Sequence, residues 1–415
     1  MPCIYWLQSY EQTIENDRYS TMRIILISLI LLLAFAANSQ EHAKVPQARF
    51  ITKFKFTIYT GGVIIVKAHL TGVPDSLNFI LDTGGAGISL DSATCSEFHI
   101  PTHKTDTLIT GIGGKQKAHF VFDKSLILPG IEIKNLNFHV LDYSILSSTY
   151  GEKIDGIMGY SIFQRYIVKI NYDKLEIELY SNGKFNYPQG GIMLYPLFSS
   201  LPIQPLEIRD ARKINKYFYM DTGAGLCFLM SDKFVTDSAV LLKKRKPLIT
   251  QAEGIAGMLQ MKLTIIREVK IGKYKFKRVP TYIYEDKYNV TGYPFSGGLI
   301  GNEILRRFNV VFNYGQKEIH LKPNSHYNDP FDYSYTGLGI YAYDNRIVVE
   351  DIIKGSPAEA AGFMIGDEII SVATDFSGNL QVYKLLMQNA GKNVRMLIKR
   401  KNELMMLNLQ PVTIR

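Results

Sequence analysis

Apolar residues fall in short runs, mostly five to nine long, separated by Gly, Pro, Asp and Asn. That spacing predicts strands joined by tight turns, not long helices. Residues 62–70 read as a strand, residues 71–76 as a turn and residues 77–82 as a second, largely apolar strand that ends on Asp82. The order recurs later, with a strand at 203–208, a turn at 210–212 and a strand at 217–221 that ends on Asp221. Lys273-Tyr-Lys-Phe-Lys277 alternates charged with aromatic residues, as a half-exposed strand does. The pattern predicts a mainly β chain.

The two apolar strands lead into near copies, Asp82-Thr83-Gly84-Gly85-Ala86-Gly87 and Asp221-Thr222-Gly223-Ala224-Gly225. Further landmarks keep step. Gly111 lies 29 residues after Asp82, and Gly254 lies 33 after Asp221. Gly156-Ile-Met-Gly159 ends 77 residues after Asp82, and Gly298-Leu-Ile-Gly301 ends 80 after Asp221. From Gly159 to Asn171 and from Gly301 to Asn313 the distance is 12 in both. Each of these spans predicts a short helix and a strand, followed by a second strand at 175–180 or 317–321. Four landmarks in one order describe a duplication, two units of roughly 140 residues.

An apolar strand that delivers an Asp to a glycine turn suits close approach of the backbone, because Gly84 and Gly223 carry no Cβ. If the copies meet, Asp82 and Asp221 lie side by side. Two adjacent carboxylates cannot both ionise readily, so they share a proton and can serve as acid and base. A single Asp-Thr-Gly is no more than a turn; the paired copies carry the reading.

On these residues the stretch 50–323 resembles the aspartic proteases, specifically the retropepsin-like group. The resemblance implies two retropepsin-like β lobes in a bilobal acid-protease fold, with Asp82 and Asp221 as the catalytic dyad. It implies that Thr83 and Thr222 brace the two loops, with Gly84 and Gly223 in support. Gly111, Gly113 and Gly114 would lie in one flap, and Gly254 and Gly257 in the other. Two departures stand out: Gly85 reads as one extra residue in the first loop, and the first flap has no tyrosine, which makes it more like the glycine-rich retroviral kind.

After residues 324–333, read as a linker, come Gly337-Leu338-Gly339-Ile340, a strand at 346–353, and Gly355-Ser-Pro-Ala…Ala361-Gly362…Gly366-Asp-Glu-Ile-Ile370. A helix near 381–389 and a hairpin of 394–400 with 404–409 follow. This resembles a PDZ domain over residues 334–412. The resemblance implies a carboxylate-binding loop at Gly337, Leu338, Gly339 and Ile340, with an extended peptide added alongside residues 340–343.

Composition adds constraints. Charged residues make up 20% and hydrophobic residues 46%, which are globular values. Met22-Arg23, the apolar run 24–37 and the small residues that follow predict a signal peptide at about 22–39 within a leader of residues 1–40. The protein is then exported to a periplasmic or extracellular space; an uncleaved leader would hold it at a membrane instead. Lobe one is expected over 41–188 and lobe two over 189–323. Cys95 and Cys227 read as buried thiols. No His or Cys spacing suggests a metal site, and no cofactor is expected. The net charge of +9 and the basic run at 243–246 read as a solvated loop, not a nucleic-acid surface. The expected partners are a polypeptide substrate in the cleft and peptide termini or extended segments at the PDZ domain, bound by a monomer. The alternative left open is a non-catalytic peptide-binding or PDZ scaffold protein of the cell envelope.

Overall fold

The computed structural model describes residues 45–198, 200–254 and 257–414. The expected signal peptide lies outside the described residues. The residues from Gln47 onward form one compact unit.

Two sheets of matching design make the lobes. In the first, Ser76–Leu81 lies between Ile64–Leu70, to which it pairs antiparallel, and Gly156–Met158, to which it pairs parallel. Gly156–Met158 then pairs antiparallel with Ile88–Asp91, which pairs parallel with Ile131–Leu141. The second lobe repeats this chain of partners through Pro202–Arg209, Lys213–Met220, Ser296–Ile300, Phe228–Ser231 and Tyr274–Tyr284. Leu77 to Leu81 are all buried because their strand has neighbours on both edges and protein on both faces. This explains apolar residues on both faces where a surface strand would alternate; the one polar residue, Asn78, donates to Glu152 and to the Lys153 carbonyl.

A six-stranded sheet joins the lobes, in the order Phe50–Lys55, Glu176–Ser181, Tyr166–Asn171, Phe308–Asn313, Glu318–Pro323, Ile192–Leu194. Its central pairing, Val168 with Phe312 and Ile170 with Val310, marks where the duplicated halves meet. One apolar core runs through both lobes and includes Phe79, Phe163, Phe218, Phe228 and Phe312.

The C-terminal domain has its own core, around Ile340, Val349, Ile369, Tyr383, Met396 and Ile398. Its five strands are ordered Leu338–Tyr343, Arg346–Ile352, Glu368–Val372, Val394–Arg400 and Glu403–Leu409. Ser356 caps the Pro357–Ala360 helix by accepting from the Glu359 amide, with Pro357 in the first turn. Buried Asp367 is held by Arg400 through two bonds of 2.7 Å. Residues 324–333 are not a free tether. Arg307, 1% exposed, donates to the Asp329 carbonyl at 2.5 Å and stacks over Phe331 at 4.1 Å.

Candidate active site

The two Asp-Thr-Gly loops meet at the pseudo-two-fold axis. The Thr83 amide donates to Thr222 Oγ1, and the Thr222 amide donates to Thr83 Oγ1, both at 3.0 Å. Each hydroxyl donates onward across the interface, Thr83 to the Met220 carbonyl at 2.8 Å and Thr222 to the Leu81 carbonyl at 2.9 Å. All four groups are buried, so the loops satisfy each other and fix the carboxylates that precede them.

The carboxyl groups of Asp82 and Asp221 adjoin closely enough that each acts on the other's ionisation. The Gly84 amide donates to Asp82 Oδ1 at 2.6 Å, and the Gly223 and Ala224 amides donate to Asp221 Oδ1 at 2.9 and 3.0 Å. The glycines are sterically required. A Cβ on Gly84 would lie 2.5 Å from Asp221 Oδ2, and one on Gly223 would lie 2.4 Å from Asp82 Cγ. Each loop thus packs its glycine against the other loop's aspartate.

The apolar-apolar-Gly segments pass beside the loops as equivalent strands. The Asp82 amide donates to the Met158 carbonyl and the Asp221 amide to the Ile300 carbonyl, at 2.9 and 3.0 Å. The register corrects one sequence expectation. Tyr160 and Asn302, at matching positions, donate to the carbonyls of Gly85 and Ala224, so Gly85 matches Ala224 and is not an insertion. Met158 pairs with Ile88, and its counterpart Ile300 pairs with Phe228. Ile88 is six residues past Asp82 and Phe228 is seven past Asp221, so the second loop is the longer one. The two small residues at Gly84-Gly85 had disguised this.

Burial raises the pKa of Asp82, although its bonds with Asp221 and the loop amides pull the other way. Burial and the charge of Asp82 push Asp221 well above the carboxylate range. The two carboxyls therefore titrate as a pair, and burial favours the state in which they share one proton. The field reaches outward: burial first, then the dyad, raises the Tyr314 phenol.

Two hairpins cover the dyad. Leu108–Gly111 with Gly114–Lys117 forms one flap, and Leu248–Gly254 with Gly257–Ile271 forms the longer second. Gly113, Gly114 and Gly257 have positive φ values of 102°, 147° and 121°. The tips touch, since a Cβ on Gly254 would lie 1.9 Å from the Ile112 carbonyl. Ile112 also packs with Tyr219, Ala224, Leu226 and Leu299 of the second lobe. In lobe one, Ile109, Leu146 and Ile157 pack against buried Ala118, Leu141 and Tyr143.

Sequence reading missed a third loop. Asn302 donates to the Gly62 carbonyl and accepts from Tyr172 Oη at 2.8 Å. Gly61, at φ 80°, packs so closely that a Cβ would lie 2.3 Å from the Gly225 carbonyl. The turn at residues 60–62 thus props the Asp221 loop. Asn302 faces Tyr160 in the repeat, so the alignment itself carried no signal for it.

Gly337 to Ile340 open the edge strand of the C-terminal sheet. Gly337 has φ 65°, and Leu338 packs on that domain's core. Of the basic run, Arg245 is not merely solvated. It holds buried Asp210 through bonds of 2.6 and 3.1 Å. Cys95 and Cys227 are both buried and unpaired. Among the described residues, no group of three or more His, Cys, Asp or Glu is placed to hold a metal ion.

An aspartyl protease family model matches residues 66–162, which span the first Asp-Thr-Gly and its apolar-Gly strand. A PDZ domain model matches residues 348–400. Among solved structures, the chain is similar to a retropepsin-like aspartic protease from Rickettsia conorii. The identity is 21%, the match covers 32% of this chain and 93% of that chain, and the TM-score is 0.24. No curated protein matches.

Proposed function

We propose that this chain, which joins a retropepsin-like aspartyl protease domain to a PDZ domain, is an exported aspartic endopeptidase. The observation that carries the reading is the adjoining, buried pair Asp82 and Asp221, held by reciprocal threonine braces. A binding protein has no use for two carboxylates forced together; a hydrolase does.

The substrate lies extended under the flaps. The ionised member of the dyad takes a proton from water as its oxygen attacks the scissile carbonyl carbon. The protonated member gives its proton to the carbonyl oxygen. The carboxylate that gave up its proton takes one back from a hydroxyl of the resulting diol as C=O re-forms, the C–N bond breaks, and the leaving nitrogen takes a proton from the carboxyl that received one from water. The dyad ends with one proton, as it began. Fixed loop amides hold both carboxylates throughout, so little reorganisation is needed.

The PDZ domain binds peptide termini along its edge strand, and so raises the local concentration of substrate or partner chains. Export rests on the leader pattern of residues 22–39.

The test is a pool of apolar peptides in which a hydroxyl-bearing tetrahedral carbon replaces the scissile carbonyl. The parent should retain members of the pool far more tightly than the matching amides, and Asp82→Asn and Asp221→Asn should lose that preference. Equal retention of both pools would reject the reading.

A further inference from the structure

The helix Leu380–Leu386 and the strand Leu338–Tyr343 border the groove in which an added peptide strand would lie. That groove already has an occupant. Gly151, at the end of the lobe-one helix Ser144–Tyr150, sits between the two elements. A Cβ there would lie 3.0 Å from Leu380 Cβ and 3.5 Å from Ala342 Cβ. The groove helix secures it. Gln381 Nε2 donates to the Tyr150 carbonyl and Lys384 Nζ to the Thr149 carbonyl, both at 2.7 Å. Gln381 Oε1 also accepts from the Thr60 amide at 2.7 Å and the Thr60 hydroxyl at 2.6 Å.

Lys384 is the informative residue. Its ammonium is half-buried, yet its hydrogen-bond acceptor is a neutral main-chain carbonyl. The nearest carboxylate influence on it is Glu253, which is engaged elsewhere. A negatively charged ligand would satisfy that cation better than a carbonyl does.

The same domain also holds the second flap. Tyr341 Oη donates to Glu253 Oε1 at 2.5 Å, and Tyr335 Oη donates to the Ile249 carbonyl at 2.6 Å. The Gln251 amide donates to Asp351. One rigid domain therefore grips lobe one at residues 149–151 and the second flap at 249, 251 and 253. Through Thr60 it also touches the turn that props the Asp221 loop.

We propose that the PDZ groove is a site for a polypeptide C-terminus with a free carboxylate, and that filling it expels residues 149–151 and releases the second flap. The lobe-one segment and the peptide compete for one space. Any peptide that binds must favour the released arrangement, and release must in turn favour the peptide. A flap that cannot lift bars substrate from the cleft, so the resident segment keeps the enzyme closed until a chain end displaces it.

The inference rests on the peptide-binding role of the PDZ domain, but not on catalysis. It is tested on the full chain by amide hydrogen exchange, with a saturating pool of random octapeptides carrying free C-termini and the same pool amidated. Binding of both pools is measured in parallel. The free-carboxylate pool should be retained and should speed exchange in residues 144–151 and 248–254; the amidated pool should do neither. Gln251→Ala removes the flap's bond to Asp351 and leaves Glu253 and Lys384 in place, and should tighten binding by about fivefold or more. Tyr341→Phe, which removes one hydroxyl, should act in the same direction and serves if that variant does not fold. No retention of free-carboxylate peptides, equal effects of the two pools, or retention with unchanged protection would each overturn the proposal. Because exchange is read without cleavage, an inert dyad would leave it standing. Cleavage that proceeds while groove peptides change no protection would reject it and spare the protease.

Discussion

Thr83 and Thr222 each donate an amide to the other's hydroxyl at 3.0 Å, so neither Asp-Thr-Gly loop is complete without its counterpart. Thr222→Val keeps the shape but strands the Thr83 amide and the Leu81 carbonyl in a dry interface. Each buried group left unpaired costs about 1–3 kcal/mol. Urea unfolding should therefore show a loss of about 2–5 kcal/mol, and Thr222→Ser should restore most of it. A loss within experimental error would mean that the brace does not hold the loops.

The glycines make a separable prediction. A Cβ on Gly223 would displace Asp82, because it would lie 2.4 Å from that residue's Cγ. Displacing a catalytic group by about 1 Å can lower rate on the order of 100-fold. Gly223→Ala should thus lower kcat/KM by about that factor. Steady-state kinetics on any peptide the parent cleaves would show it, with KM less affected than kcat.

Protonation gives a stability signature that does not depend on knowing a substrate. Burial raises the pKa values of the Asp82–Asp221 pair. A carboxyl whose folded-state pKa is raised contributes stability below its unfolded value of about 4, and that contribution is lost as pH rises through the folded value. Asp221→Asn cannot ionise and escapes this loss. Thermal melts should show the variant gaining on the parent between pH 4 and pH 7. A constant difference across that range would mean that the dyad does not titrate as described. For the same reason, the alkaline limb of the activity profile should lie above the ordinary carboxylate range.

Arg307 ties the segment after lobe two to the protease core. It is buried, donates to the carbonyls of Glu303 and Asp329, and lies over Phe331. Arg307→Met keeps much of the volume but removes its charge-assisted bonds to the carbonyls of Glu303, His326, Tyr327, Asp329 and Pro330, the well-made ones worth about 1.5–3 kcal/mol each. Limited proteolysis should then cut within residues 324–333 at a protease dose that leaves the parent intact. Equal resistance would show that the segment is held by other contacts.

The bilobal fold could be read from spacing because each landmark in the repeat answers a backbone demand. Gly159 and Gly301 lie against main-chain carbonyls of the Asp-Thr-Gly loops, where a Cβ would come within 2.4 and 2.2 Å. Such positions admit one residue type and leave a visible pattern. The central strands were equally plain, since burial on both faces favours apolar residues at successive positions, as at Phe79, Ile80 and Leu81. The prop at Asn302 and Gly62 was hidden because it breaks the symmetry that exposed the rest. The docking of the PDZ domain was hidden for another reason. It depends on Gln381 and Lys384, which look like the solvated face of a short helix until lobe one's carbonyls are placed against them. Loop register failed where two consecutive glycines allowed either alignment, and hydrogen bonding resolved it.

The most direct test of the account is cleavage of a mixed, unstructured peptide library by the protein lacking residues 1–39. It is read by mass spectrometry from acid to neutral pH, with Asp82→Asn and Asp221→Asn in parallel. The account predicts new termini in the parent, at bonds flanked by apolar residues, and none in either variant. Cuts that persist in either variant, or no cuts at any pH while peptides are still retained, would contradict it.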